Sequence, residues 1–441
     1  MQKQHQSPSA VLIDVLVESF VRPIELVSEE VARKLKSKLK HHLFVTDGVA
    51  RQLMFPVLIP SCRVLYHMVE GNRLATSNFV QNSQYLISQH LFEKATDDIN
   101  ILDENGEFLN DFITRCFNTA VIKVINNDLP GSLAELEALP NMQFFQTETG
   151  DALLKIFEIE GYPEDDPFFP DVTRSVFFIH LHSIHQVKQK LDEVGKRNPQ
   201  LAQLHDVAVN QIKDRYLTIN RLLDDPHVDV ETALRYGEMT VLTTPFLTSF
   251  ALFLADDYDH VNVAIKPHQK LVIDTAKSFS TMERIINDIG GFSSHADELL
   301  SIILKLRTHH SEWTPRQFFE NIYIDDAKLA GAIQTLRGDA REGEYNIALD
   351  AGIYSTMSVP EQWAQFEENI RYSNGRYREV GQTLQQQLAE LDRRVPYVGD
   401  MIGRWLYFNY LLYTSGGDYD TRVIDDVVRK SVDWSMLFKD F

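Results

Sequence analysis

The chain of 441 residues carries 63 acidic against 43 basic side chains, a formal net charge of -20 at pH 7, which repels nucleic-acid phosphate and anionic lipid and argues against both as partners. Hydrophobic residues at 44% and 26 phenylalanines supply enough apolar surface for a large core and rule out a disordered chain. Two cysteines, Cys62 and Cys116, are too few for a disulfide framework or a thiolate metal site and point to a reducing compartment.

In chain order, residues 1–10 are polar and Gln-rich, without the apolar stretch of a secretory signal or the Arg-rich amphipathic character of a transit peptide. They read as a tail, and residues 11–441 as a single helical domain. The expected setting is soluble and intracellular: the cytoplasm, or a plastid if a transit peptide has been removed. Helical periodicity dominates and alternating Val/Ile/Thr runs are scarce, so the expected fold class is all-α.

Residues 175–194 read as a helix that opens aromatic and ends charged, and residues 201–223 as an amphipathic one. A third helix, over residues 230–255, holds Pro245 in mid-course, where the missing N–H and the ring clash predict a kink or break. Its apolar part, residues 241–255, is interrupted by threonines and shorter than the roughly 20 residues that cross a bilayer, so no membrane span is expected. A fourth helix opens at Pro267, a favourable first-turn position, and runs to Ile289 with Val272, Ala276, Phe279, Met282, Ile286 and Ile289 on one side. Residues 296–307 come directly after it or continue it. Loops are expected over residues 160–171, 337–352 and 414–420, each rich in Gly, Pro or Asp.

The most informative segment is residues 283–298, which puts Asn287, Gly291 and His295 at i, i+4 and i+8. Successive members are rotated by about 40°, so all three are expected on one helical face about two turns long. The segment resembles the second metal motif of the class I terpenoid synthases: Asn-Asp, a hydroxyl residue after two more positions, and Glu after a further three. Asn287 and Asp288 match its start, Gly291 stands where the hydroxyl residue belongs, and His295 where the carboxylate belongs. A broken helix precedes this motif in the family, as residues 236–255 do here, and residues 299–336 are similar to the family's segment on the far side of the motif. The resemblance covers roughly residues 200–340.

The resemblance implies a helical bundle around a central cavity and Mg²⁺-dependent ionisation of an allylic prenyl diphosphate. Such a substrate ionises when clustered Mg²⁺ and Arg or Lys neutralise the departing pyrophosphate in a dry cavity. It further implies Asn287, His295 and Asp151 as metal-site residues and Arg284, Arg404 and Tyr419 as diphosphate-holding ones. His295 is a poor Mg²⁺ ligand, because Mg²⁺ prefers oxygen, so His295 and Glu298 are also the candidate catalytic bases. Within the family, the altered motif and acidic chain are most similar in character to the algal kainoid-pathway N-prenyltransferases, which prenylate L-glutamate. An amino-acid acceptor is the expected second substrate. The alternatives are a terpene cyclase making a cyclic hydrocarbon or alcohol, and a non-catalytic helical scaffold.

Other clusters read differently. The family's Asp-rich first motif has no literal counterpart: residues 126–128, Glu148, Asp151 and Asp97 with Asp98 are the nearest acidic groups. The acidic run at residues 256–260 reads as a helix-terminal turn. Arg371-Tyr372 and Arg376-Tyr377 are literal Arg-Tyr pairs that read as surface charges on a helix. His180, His182 and His185 are spaced i, i+2 and i+5 and do not converge as a zinc site requires.

Overall fold

The computed structural model describes scattered positions between 17 and 36 and then residues 78–97, 100–102, 110–138, 143–145 and 172–414. The described chain is almost entirely helical, as expected. It divides into two compact units, Met1–Leu217 with Thr248–Pro267, and Thr218–Leu247 with His268–Phe441, where the sequence reads as one domain.

The first unit holds α1 (Asn78–Asp97), α2 (Asn110–Ile125), α3 (Leu129–Glu137), α4 (Val172–Arg197) and most of α5 (Ala202–Asp224). A short antiparallel ribbon of β1 (Asn100–Leu102) and β2 (Gln143–Phe145) pairs Ile101 with Phe144. Helix α4 is the spine against which α1, α2 and α3 pack. Its Ile179, Leu181, Ile184, Val187 and Leu191 are buried, as are Phe92 of α1 and Phe117, Val121 and Val124 of α2. Asp128 stops the turn between α2 and α3 by accepting the Gly131 N–H at 3.0 Å as an N-cap, which satisfies a donor the helix itself cannot.

The third predicted helix is broken, into α6 (Val230–Thr240) and α7 (Thr243–Asp257). The break falls at Val241, whose ψ of 135° is extended. Pro245 lies in the first turn of α7, and its ring would clash with the carbonyl four residues back, which is that of Val241. Together Val230–Asp257 is long and apolar enough by composition to cross a membrane, but it is two helices, and Phe246, Leu247, Phe250, Leu252 and Phe253 are buried inside the protein. After α8 (Asp259–Ile265) the chain enters α9 (Gln269–Ile289), whose predicted apolar side is buried at every position.

Helix α9 is the centre of the second unit. It packs against α6, against α15 (Val359–Arg394) and against α16 (Pro396–Thr414). Between them run α10 (Phe292–Arg307), α11 (Pro315–Asn321), α12 (Ala327–Ala332), α13 (Gln334–Glu342) and α14 (Ile347–Asp350). Residues 337–352, expected as a loop, are therefore largely helical. Gly343, at φ 72°, ends α13 in a left-handed cap, and Asn346 starts α14 by accepting the Ala348 and Leu349 N–H groups. Turn-forming residues marked the helix ends here, not a loop. Helix α15 opens with a capping box of Ser358 and Glu361 and buries Trp363, Phe366, Ile370, Tyr377, Leu384, Leu388 and Leu391 at helical spacing.

Candidate functional site

The motif segment does not form one helix. Helix α9 ends at Ile289, Gly290 takes a φ of 48° that residues with a Cβ rarely adopt, and α10 begins at Phe292. His295 is itself non-helical, at φ -133°. The reason lies on α15, where the buried Asn374 donates to the carbonyls of Phe292 and Ser293 at 3.2 and 2.7 Å and draws them out of the helical ladder. Asn287, Gly291 and His295 therefore do not share a face, contrary to the expectation from spacing. Gly291 packs against the backbone of Ala332, where an added Cβ would stand 2.8 Å from the Cα, so the family's hydroxyl residue has no room there. His295 and Glu298 are exposed and Asn287 is half-buried.

Asp288 and Arg284 belong to a buried clamp. The guanidinium Nε donates to Asp288 Oδ2 at 3.0 Å, Nη2 lies 2.8 Å from Oδ1 as an ion pair, and Nη2 donates to the Tyr345 carbonyl at 3.4 Å. Asp288 also accepts the Ile347 N–H at 3.1 Å, and its own carbonyl accepts from Asn346 at 2.8 Å. The other Nδ2 contact of Asn346 is to Asp339 at 2.6 Å, and its backbone N–H donates to Asp350, which Arg316 holds through both oxygens. Burial pushes Asp288 up to about 6 against the pull of Arg284, and pushes Asp339 well above the usual carboxylate range. Arg284, expected to hold diphosphate, is committed to this clamp.

A second polar group faces the break between α6 and α7. The Thr243 hydroxyl donates to the Glu283 carboxyl, the Thr244 and Ser280 hydroxyls bond at 2.6 Å, and Thr281 donates to Glu238 at 3.0 Å. Glu283 is half-buried. Burial pushes its carboxyl up to about 8. Burial raises Glu238 as well, opposed by Thr281, Lys277 and Arg376. Beside the break, Phe246 of α7 and Trp405 of α16 lie with ring centroids 6.4 Å apart, both buried. Sequence reasoning passed over Glu283. The available signal was a carboxylate one turn before Asn287 on a helix whose neighbouring positions, Phe279, Met282 and Ile286, are apolar.

In the first unit the histidine cluster resolves into separate roles. His180 is buried, with Nδ1 2.9 Å from the Thr96 hydroxyl and Nε2 3.2 Å from Glu93. Glu93 also accepts from Arg215 and, at 2.6 Å, from the Tyr216 hydroxyl. Burial opposes ionisation of Glu93, but Arg215 and His180 overcome it and hold the carboxyl far below its ordinary range. Burial and His185 lower His182 to about 4. In the acidic run, Asp256 accepts from Arg197 and from Asn198 at 2.6 Å, an ion-paired helix end. Arg371 pairs with Glu367 and Asp297, and Arg376 with Glu379, surface pairs as expected.

Asp151 and Tyr419, with residues 160–171 and Glu148, lie outside the described residues. Arg404 lies on α16. Mg²⁺ takes oxygen ligands in near-octahedral array, and among the described residues no group of three or more His, Cys, Asp or Glu side chains is placed to hold a metal. Of the three motif positions only Asn287 offers a side-chain oxygen, so these residues do not build the implied Mg²⁺ site by themselves. No known protein family, curated protein or solved structure matches the chain.

Proposed function

We propose that the chain is a prenyltransferase that ionises an allylic diphosphate, dimethylallyl or geranyl, and transfers the prenyl group to an amine such as that of L-glutamate, releasing pyrophosphate. One juxtaposition carries the reading: the break between α6 and α7 meets the polar line of α9. Thr243 reaches Glu283, one turn before Asn287, and Thr244 reaches Ser280, two turns before it. A prenyl cation needs aromatic faces beside it, and Phe246 with Trp405 stands next to the break. An amine needs a carboxylate or hydroxyl to orient it, and Glu283 with Thr243 offers both. Mg²⁺ is the cofactor that the leaving group's charge calls for.

The commitment of Arg284 and Asp288 to a structural clamp favours a second reading, a non-catalytic helical scaffold. A pyrophosphate-release assay separates the two. Dimethylallyl, geranyl and farnesyl diphosphate are offered with Mg²⁺, each with and without L-glutamate. Glutamate-dependent release, lost in Asn287→Ala, is the expected result. Release without any acceptor would make the protein a cyclase, and no release under any condition would leave the scaffold.

A further inference from the structure

We draw no further inference here: the strongest candidate, the Gln89 side chain on α1 in the first unit, fully buried with neither amide atom partnered, lies one turn from Glu93 of the network already described, and nothing among the described residues shows what it would hold.

Discussion

Arg284 grips Asp288 through both carboxylate oxygens, one turn along the same helix, and the carboxylate lies out of reach of bulk water. The pair is the hinge-pin of the clamp that fixes the end of α9 to α14, because Asp288 also accepts the Ile347 N–H. Removing one member leaves the other charged and buried, which costs about 3–5 kcal/mol, whereas replacing both with apolar residues is far milder. Arg284→Met is therefore expected to lower unfolding free energy by about that amount in urea titrations, and Arg284→Met with Asp288→Leu by less than the sum of the two single changes, with a coupling of roughly 1–3 kcal/mol. Strict additivity would show that the two side chains do not act as a pair.

Gly291 is the motif position where a hydroxyl residue would restore the family pattern. The backbone of Ala332 closes that position, with its Cα 2.8 Å from where a Cβ would be, and the Gly291 N–H donates to the Ala332 carbonyl at 3.1 Å. Gly291→Ser is accordingly expected to destabilise by about 1–3 kcal/mol through overpacking, and not to raise any Mg²⁺-dependent activity. A thermal melt of the purified variant reads the first part. An unchanged melting temperature would mean that Ala332 yields easily.

Much of this architecture is legible in residue order, and the losses have identifiable causes. Pro245 announces the break in the third helix because its effect on the residue four places back is local. The apolar side of α9 is legible because helical period alone selects Val272, Ala276, Phe279, Met282, Ile286 and Ile289. The Gly290-Gly291 pair was visible too, but whether it ends a helix or passes through one depends on partners from distant segments, Asn374 and Ala332. Asn346, Asp339 and Asp350 look like turn formers until Arg316 and Arg284 bring them together. The two units escape notice because the chain passes between them inside α5, inside α7 and again between Pro267 and His268 just before α9, with no Gly- or Pro-rich linker to mark the crossings.

In the first unit, the buried Glu93 is ionised because Arg215 stands against it. A carboxyl with a depressed folded-state constant contributes stability that is present above its unfolded value and lost as pH falls through the folded one. Arg215→Met removes the strongest influence against burial and leaves only His180 and Tyr216 to oppose it, so Glu93 rises. The variant is expected to lose about 3–5 kcal/mol at pH 7 and to recover part of that deficit as the pH drops toward 4 and Glu93 takes up a proton. Denaturation at pH 7 and pH 4 measures both. An equal deficit at the two values would remove Glu93 as the partner that matters to Arg215.

Glu283 makes the opposite prediction. Burial lifts its carboxyl from the ordinary range to about 8, so between the unfolded and folded values the folded protein holds a proton that the unfolded chain has lost. Stability then falls as pH rises, by up to about 1.4 kcal/mol per unit from this group alone, and the contribution is gone above the folded value. Asp288 and Asp339 are raised too, so the slope of the wild type is a sum, and the difference from Glu283→Gln isolates one contribution. That variant keeps the Thr243 contact in a form that cannot ionise. Its unfolding free energy is expected to match the wild type near pH 5 and to exceed it increasingly toward pH 8, read from urea titrations across the range. Parallel curves would mean that Glu283 is already ionised at neutral pH.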